Sequence, residues 1–325
     1  MRVLMVTSEW PKLNAPTTTN FIRRQAEAVQ AAGVSVDVFV FRGKQNPYNY
    51  VAAWTRLRPL LTSGNYDLVH AQFGQSGILT FPKRLPLIVT LRGSDLLGII
   101  SDKSGRYTLR GRMLKGISRF VARQADAVIV VSDHMRQYLK TSAPIHVIPS
   151  GLDLELFRPM PQAEARSKLG FDPNARLVLF VGRPHELRKR HDLAIAAVDL
   201  LNQRLPARLE VAWGIPHSKV PLYMNACDVL IMASRHEGSP NVVKEALACN
   251  LPVVSVPVGD VRERVRHVDG CEVTTDDRPE TLAAALERVL QRGGRVDGRS
   301  AVQALDEHVL TQRVIEIYRS VLQRQ

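Results

Sequence analysis

Two glutamates eight positions apart, Glu237 and Glu245, are the residues of this sequence best placed to do chemistry. Glu237 precedes a predicted helix. Glu245 lies about one and a half turns inside it, and its side chain leans back toward the helix start. Both carboxylates can therefore reach one pocket from different depths. Taken alone, each also fits a plainer interpretation, in which Glu245 is a surface helix residue and Glu237 a loop acid.

The residues between the two glutamates have the composition of a helix N-terminus. Ser239 is a favoured N-cap and Pro240 a favoured first helical residue, so we expect the helix to start at Pro240. Gly238 lets the backbone approach a ligand closely. The free amides of Asn241 and Val242 lie at the positive end of the helix dipole, which suits a phosphate or a sugar hydroxyl.

A second loop combines a glycine with basic side chains. Gly182 and Arg183 follow a predicted strand, and Lys189 comes shortly after them. The glycine allows a tight turn, while an arginine and a lysine together can clamp a diphosphate. Because Arg188 and Arg190 flank Lys189, a solvated basic loop is the alternative interpretation.

The elements that must position these loops alternate between strands and helices. We predict strands at 3–7, 34–41, 68–71, 87–91, 127–131, 145–148, 177–181, 209–213, 229–232, 253–256 and 271–273. We predict helices at 21–32, 107–124, 133–139, 193–203 and 309–322. Short buried strands spaced by helices indicate an α/β fold with parallel sheets, and such sheets bind ligands at the carboxyl ends of their strands.

One stretch, from 154 to 176, breaks the alternation with three prolines and mixed charge. We interpret it as a linker between a domain of residues 1–155, joined by 309–325, and a second domain of residues 156–308. Two such Rossmann-like sheets facing each other would leave a cleft between them. The length of 325 residues agrees with two domains, at roughly 100–200 residues each.

Composition and charge narrow the class of protein. Hydrophobic residues make up 45% of the chain and charged residues 23%, which is typical of a globular protein. No apolar run is long enough to cross a bilayer. The first residues indicate a buried strand rather than a secretory leader. The three cysteines are far apart in the sequence, which indicates a reducing cytoplasm. Residues 1–160 carry 21 Lys/Arg against 10 Asp/Glu, so this half should face something acidic.

Together these motifs resemble the family 4 glycosyltransferases. The resemblance is carried by residues 148–157, 182–189, 224–234, 237–245, 251–254 and 258–260. It implies a GT-B fold, with an acceptor-binding first domain, a second domain that binds the nucleotide sugar, and a last helix that crosses back onto the first. It also implies a transferase that moves a sugar from a nucleotide-diphosphate donor to a hydroxyl acceptor with retention of anomeric configuration.

The resemblance implies roles for the residues above. Glu237 would contact the donor sugar, and Glu245 would bind the ribose hydroxyls of the nucleotide. Arg183 and Lys189, with Gly182 in the same loop, would neutralise the leaving diphosphate. The sugar or phosphate would be held by the segment Gly238, Ser239, Pro240, Asn241 and Val242.

No metal and no cofactor are expected. Breaking the sugar–phosphate bond builds negative charge on the diphosphate, which a metal held by an Asp-x-Asp motif stabilises in enzymes of another fold. The only loose match here, Asp153-Leu154-Glu155, falls beside the linker. Two cationic side chains and a helix N-terminus can provide the same stabilisation.

The first domain departs from the family pattern. Where many relatives carry a Gly-Gly pair after the first strand, this chain has Thr19 and Asn20, which can cap the next helix. Arg92 replaces a histidine found in many relatives, and an arginine can hold an anionic acceptor or the diphosphate but cannot act as a base. Asp95 would orient Arg92 or bind acceptor hydroxyls. A structural Arg92–Asp95 pair is the alternative.

Two further features concern substrate choice. His70 ends the third strand and points toward the expected cleft, although a lone histidine there is more often structural. The segment 215–222 is shorter than the corresponding piece of most relatives. This segment would contact the base of the nucleotide, so the sequence does not determine which base is bound.

The segment 103–123 holds seven basic residues and no acidic one, with apolar residues at helical spacing. Such a helix can lie on an anionic membrane surface, which would suit a lipid-linked or glycan acceptor in cell-surface polysaccharide or glycolipid assembly. A core-packed helix with a solvated basic face is the alternative. We therefore expect a cytoplasmic protein, peripheral at the inner face of a membrane.

Other functions fit the same fold. An epimerase would release a modified sugar without an acceptor, and a decayed transferase would serve as a non-catalytic partner that binds sugar nucleotides. A phosphorylase would need a lysine for pyridoxal phosphate, and Lys189 lacks the surroundings of such a site. Binding of nucleic acid rests on the basic first half alone, without a reader helix or an aromatic platform, and is not expected.

Overall fold

The computed structural model describes residues 1–11, 21–43, 46–99 and 108–324. The chain divides into two compact units. Unit 1 comprises Met1–Gly151 with Glu307–Gln325, and unit 2 comprises Leu152–Asp306. Thr19, Asn20 and residues 103–107, to which the sequence assigned roles, lie outside the described residues.

Unit 1 is built on a sheet of six parallel strands in the order β2-β1-β3-β4-β5-β6. The strands are β1 (Arg2–Thr7), β2 (Ser35–Val40), β3 (Leu68–Gln72), β4 (Leu87–Leu91), β5 (Ala127–Val130) and β6 (Ile145–Val147). Every residue of β3, β4 and β5 is buried, because helices cover both faces of the sheet.

The helices of unit 1 are α1 (Phe21–Ala31), α2 (Pro47–Thr62), α3 (Gly74–Gly77), α4 (Ser94–Leu97), α5 (Leu109–Gln124) and, after the whole of unit 2, a last helix at Glu307–Leu322. That last helix packs against α1 and buries Leu310, Val314 and Tyr318 in unit 1. The predicted return of the C-terminal helix to the first domain is therefore confirmed.

Unit 2 has a sheet of five parallel strands, β7 (Leu177–Val181), β8 (Arg208–Ala212), β9 (Val229–Met232), β10 (Val253–Ser255) and β11 (Glu272–Val273), in the order β11-β10-β9-β7-β8. Its helices are α6 (Gln162–Leu169), α7 (His191–Asn202), α8 (Val220–Ala226), α9 (Asn241–Ala248), α10 (Val261–Val265), α11 (Pro279–Arg292) and α12 (Gly298–Val302), so the last helix of the chain is α13. All eleven predicted strands are present, and the predicted α/β class with two parallel sheets is confirmed.

Two predictions about individual elements were wrong, and one long helix was missed. The supposed linker 154–176 contains α6, and Arg166 fastens this helix to unit 2 through a salt bridge of 2.9 Å to Asp228. The segment predicted as a helix at 133–139 forms a 3-10 helix, Asp133–Tyr138. Helix α2 was missed, because Pro59 inside it and its weak amphipathic pattern hide a helix of 16 residues. Within the described ranges, no helix is long and apolar enough to span a bilayer.

Candidate functional site

The loop that follows β9 carries Glu237 to the carboxyl edge of the unit 2 sheet. Helix α9 begins at Asn241, one residue later than predicted, because Pro240 adopts an extended conformation at the N-cap position. The hydroxyl of Ser239, expected to cap this helix, instead donates to Oδ2 of Asp260 at 2.8 Å. No side chain among the described residues caps α9. The backbone amides of Asn241 and Val242 therefore form its uncapped positive end.

Glu237 is held between two cations. Its Oε1 accepts from Nζ of Lys189 at 2.8 Å and lies 2.6 Å from a guanidinium nitrogen of Arg188. Burial alone would raise the pKa of Glu237, but Lys189 and Arg188 outweigh it and hold the pKa below its ordinary value. The carboxylate is therefore ionised at neutral pH and serves as a hydrogen-bond acceptor rather than a proton donor.

Arg188 was treated in the sequence only as a flanking residue. It lies in a 3-10 turn, Leu187–Lys189, which brings two consecutive basic side chains to the same carboxylate. A second ion pair of 2.7 Å joins it to Glu186, and it also donates to the carbonyl oxygen of His236 at 3.1 Å. In the sequence, only the run of basic residues at 188–190 pointed to such a contact. The geometry of the turn shows which of these residues meet Glu237.

Two glycines shape the backbone of this site. Gly182, at the end of β7, has φ of +151°, and a Cβ there would lie 3.5 Å from Cγ of Lys189. Gly259, after β10, has φ of +56°, and a Cβ there would lie 3.0 Å from the carbonyl oxygen of Gly238. Both positions favour glycine because side chains rarely adopt such φ values. Gly259 therefore lies close against the backbone of the turn at Glu237, and Gly182 lies beside the side chain of Lys189.

Arg183 makes a different contact from Lys189. Its guanidinium lies over the ring of Trp213, 5.2 Å from the ring centroid, and both side chains are exposed. Trp213 follows β8, so the loops after β7 and β8 are joined at this edge of the sheet. A cation held over an aromatic face keeps its outer hydrogen-bond donors available for a ligand.

Glu245 lies buried in the second turn of α9. Its Oε1 is 3.1 Å from Nε2 of His217, a distance at which the imidazole donates to the carboxylate. His217 belongs to the shortened segment 215–222, and its ring packs edge-on against Phe157 with centroids 5.2 Å apart. The sequence drew attention to the length of this segment but missed His217, because nothing in the spacing relates positions 217 and 245.

In unit 1, His70 is fully buried. Its Nδ1 lies 2.6 Å from Oη of Tyr318, and its Nε2 lies 2.7 Å from Oγ1 of Thr90. Burial first, and then the nearby charge of Arg92, lower the pKa of His70 to about 3. Both ring nitrogens are thus occupied in holding α13 against the sheet. These contacts agree with the structural interpretation that the sequence left open for His70, and its role in binding an acceptor or phosphate stays a prediction.

Arg92 lies in a cluster of neutral hydrogen-bond acceptors. Its guanidinium donates to the side chains of Gln72, Gln25 and Ser150 at 2.7–3.2 Å and lies 4.6 Å from the ring centroid of Phe21. Burial lowers the pKa of Arg92 to about 10, with Asp95 and Glu9 acting in the opposite direction, so it remains a cation at neutral pH. A small cavity of about 10 Å³ beside it has room for one water molecule.

Asp95 does not orient the Arg92 side chain as predicted. Its Oδ1 accepts from the backbone amides of Arg92 at 3.1 Å and Gly93 at 2.9 Å, which fixes the turn after β4. Burial raises the pKa of Asp95, and the backbone amides that it accepts from oppose that rise. The Arg92 side chain is therefore positioned by amides and an aromatic ring, while Asp95 positions the backbone.

Comparisons with known proteins cover both units. Residues 3–156 match the family described as Glycosyltransferase Family 4, and residues 208–292 match the family described as Glycosyl transferases group 1. The chain is 25% identical to the D-inositol 3-phosphate glycosyltransferase of Thermobispora bispora, over 85% of this chain and 76% of that protein.

Solved structures share the fold. Sucrose-phosphate synthase from Thermosynechococcus elongatus is similar over 100% of both chains, with a TM-score of 0.82 and 20% identity. HepE of Anabaena, in complex with UDP-glucose, is similar over 98% of this chain and 100% of its own, with a TM-score of 0.71 and 19% identity. These likenesses confirm the predicted GT-B fold class.

Proposed function

Because this chain belongs to the family 4 glycosyltransferases, we propose that it transfers a sugar from a nucleotide-diphosphate donor bound by unit 2 to a hydroxyl acceptor, without a metal ion. The observation that carries the proposal is the contact of Lys189 and Arg188 with Glu237, beside the uncapped end of α9. A nucleotide sugar needs such a combination, since it offers both hydroxyls and a diphosphate.

The charges of this cluster favour binding of an anion. Lys189, Arg188 and Arg183 carry three positive charges against the two carboxylates of Glu237 and Glu186, so a net positive charge remains for the diphosphate. The developing charge on the leaving diphosphate is then stabilised by Lys189, by Arg183 and by the amides of α9. Each such preorganised donor contributes about 3 kcal/mol to the transition state. This is the role that a divalent metal plays elsewhere.

Retention of the anomeric configuration is part of the proposal. It is supported by the family resemblance of the segment 237–245. Glu245, ordered by His217, would bind the ribose hydroxyls. Since HepE binds UDP-glucose, a uridine nucleotide is the first donor to test.

The relatives are named as transferases, which favours transfer over an epimerase or a non-catalytic partner. Arg92, a cation among neutral partners in unit 1, would hold an anionic group of the acceptor. The basic and apolar surface of α5 supports a lipid-linked or glycan acceptor and a peripheral position at the inner face of a membrane, in cell-surface polysaccharide or glycolipid assembly.

A direct test combines binding and turnover. The melting temperature should rise with one class of nucleotide sugar in the presence of a chelator, since binding at about 100 times the dissociation constant adds about 2.7 kcal/mol to stability. The same donor, incubated with candidate acceptors, should yield a product whose anomeric proton coupling in NMR matches that of the donor. A melting shift that requires magnesium, or an inverted product, would contradict the proposal.

A further inference from the structure

Helix α5 is fastened to unit 1 by small residues. Its buried positions are Gly111, Ser118, Val121 and Ala122. The contact with α3 is so close that a Cβ added at Gly74 would lie 2.6 Å from Cα of Ser118. Val121 lies in the core and Ile117 packs partly against it, so the side chains of Leu109, Met113 and Phe120 are not needed to hold the helix in place.

Those large side chains face outward instead. Leu109 is 83% exposed, Met113 60% and Phe120 45%. At 3.6 residues per turn, the three positions fall within about 40° of one another around the helix axis. They form a continuous apolar stripe on the outer surface of unit 1. The sequence had allowed these residues to be the core face of a basic helix, and the structure places them on the opposite side.

Basic residues border this stripe. Arg112, Arg119 and Arg123 are exposed and lie within about 100° of its centre. The helix carries five Lys or Arg residues and no acidic residue along its 16 positions. An apolar stripe bordered by arginines is the pattern of helices that lie in the interface of an anionic bilayer.

The apolar surface continues beyond α5. The ring of Phe120 packs against Phe81 with centroids 5.2 Å apart, and the carbonyl oxygen of Phe81 accepts from Nε1 of Trp54 at 2.7 Å. Trp54 belongs to α2, is partly exposed, and has the guanidinium of Arg58 over its ring. Tryptophan with a satisfied indole N–H is enriched where a protein meets the headgroups of a membrane.

We propose that the stripe of Leu109, Met113 and Phe120, with Trp54 at its edge, inserts shallowly into a bilayer containing anionic lipids. The charge complementarity of α5 selects this occupant, because the arginines meet lipid phosphates while the stripe enters the acyl boundary. This insertion would hold the protein in the proposed peripheral position at the membrane, and its purpose rests on the proposed function. Its geometry is independent of the donor site.

Co-sedimentation with vesicles tests the surface. The full chain should bind vesicles of phosphatidylglycerol and phosphatidylcholine, and should not bind vesicles of phosphatidylcholine alone. Leu109→Ser with Met113→Ser should lose most of the binding, whereas Val309→Ser, at an exposed apolar position of α13, should retain it. Equal loss in both variants, or equal binding to both kinds of vesicle, would overturn the proposal.

The charge contribution has its own matched pair. Arg112→Gln with Arg119→Gln should weaken binding about 30-fold, since each basic residue near an anionic surface is worth roughly a factor of five. Arg176→Gln with Arg266→Gln, which removes two exposed arginines of unit 2, should have little effect. Equal weakening by the two pairs would show a general effect of net charge and contradict a defined surface.

Fluorescence locates the edge of the surface. Brominated acyl chains should quench part of the tryptophan emission of the bound protein, and Trp54→Phe should abolish that part. Unchanged quenching in Trp54→Phe would refute the position of Trp54 at the membrane. Tight binding to a single-stranded oligonucleotide, lost in the arginine variants, would favour nucleic acid over lipid as the ligand of this surface. Each variant should keep the melting shift with donor, so failure here is separable from failure of the proposed function.

Discussion

Replacing Glu237 with glutamine tests the charge arrangement of the proposed donor site most directly. The side chain keeps its size but loses its charge, so Lys189 and Arg188 face each other across a neutral amide. The substitution should lower the stability of the free protein and abolish most sugar transfer. Binding of the free nucleoside diphosphate should be retained or strengthened, because two cations no longer share a carboxylate.

The size of the stability loss follows from burial. Removing one partner of a fully buried ion pair costs about 3–5 kcal/mol. Here the Glu237 side chain is 13% exposed, but Lys189 is 18% and Arg188 37% exposed, so water screens part of the cost. We expect a loss of about 2 kcal/mol, between the buried and exposed limits. For a unit of this size, that corresponds to roughly 4–8 °C in melting temperature.

Calorimetry of the wild type and variant across pH tests the cause. Since the folded pKa of Glu237 lies below its unfolded value of about 4.3, its charge stabilises the protein fully above that value. The stabilisation is lost as the pH falls through the lower folded pKa. The difference in melting temperature should therefore be complete at pH 7 and shrink below about pH 4. Glu186→Gln, which removes a more exposed partner of Arg188, is the matched control and should cost below about 1 kcal/mol.

Three results would refute this reasoning. A variant as stable as the wild type at pH 7 would mean that the contacts of Glu237 contribute nothing. A stability difference that persists unchanged in acid would point to packing rather than charge. An equal loss in the Glu186 control would place the effect on Arg188 alone.

Other substitutions separate the remaining roles. Arg183→Ala should abolish the melting shift given by the donor and lower the transfer rate about 100-fold, while Arg183→Lys keeps part of both. His217→Ala should raise the dissociation constant of the nucleotide about tenfold in calorimetric titration, since Glu245 loses a charge-assisted hydrogen bond. His70→Phe should cost about 3 kcal/mol in urea denaturation at pH 8 and about 1 kcal/mol at pH 5, because the pKa of His70 is about 3 in the folded protein and about 6.5 in the unfolded one, so acid already destabilises the wild type. Gly259→Ala should cost more than about 1 kcal/mol and slow transfer, because its φ is +56°.

These predictions fail in distinguishable ways. A full donor shift in Arg183→Ala would place the diphosphate elsewhere in unit 2. Unchanged nucleotide affinity in His217→Ala would mean that the contact between His217 and Glu245 does not serve binding of the ribose hydroxyls. An equal cost of His70→Phe at pH 5 and pH 8 would show that the histidine titrates alike in the folded and the unfolded protein. Normal stability in Gly259→Ala would mean that the turn can shift without cost.

The motif of the proposed donor site could be found in the sequence because it is local. The segment 237–245 shows a helix start and two carboxylates within nine consecutive residues, and β9 before it is a plain apolar run. Local backbone preferences and side-chain periodicity therefore predicted both the element and the residues that it presents. The same holds for β7 with Gly182, where the glycine marks the turn. The chain by itself determined the α/β class, the eleven strands, the basic loop after β7 and the acidic loop after β9.

Contacts between distant segments were decided only by the tertiary structure. His217 meets Glu245 across 28 positions, and Arg188 meets Glu237 across 49, through turns whose geometry no periodicity encodes. The orientation of α5 was undecidable for a related reason. Periodicity shows which residues share a face of a helix, but not which face meets the core. Here the small residues Gly111 and Ser118 allowed the closer packing, and Leu109, Met113 and Phe120 were left outside.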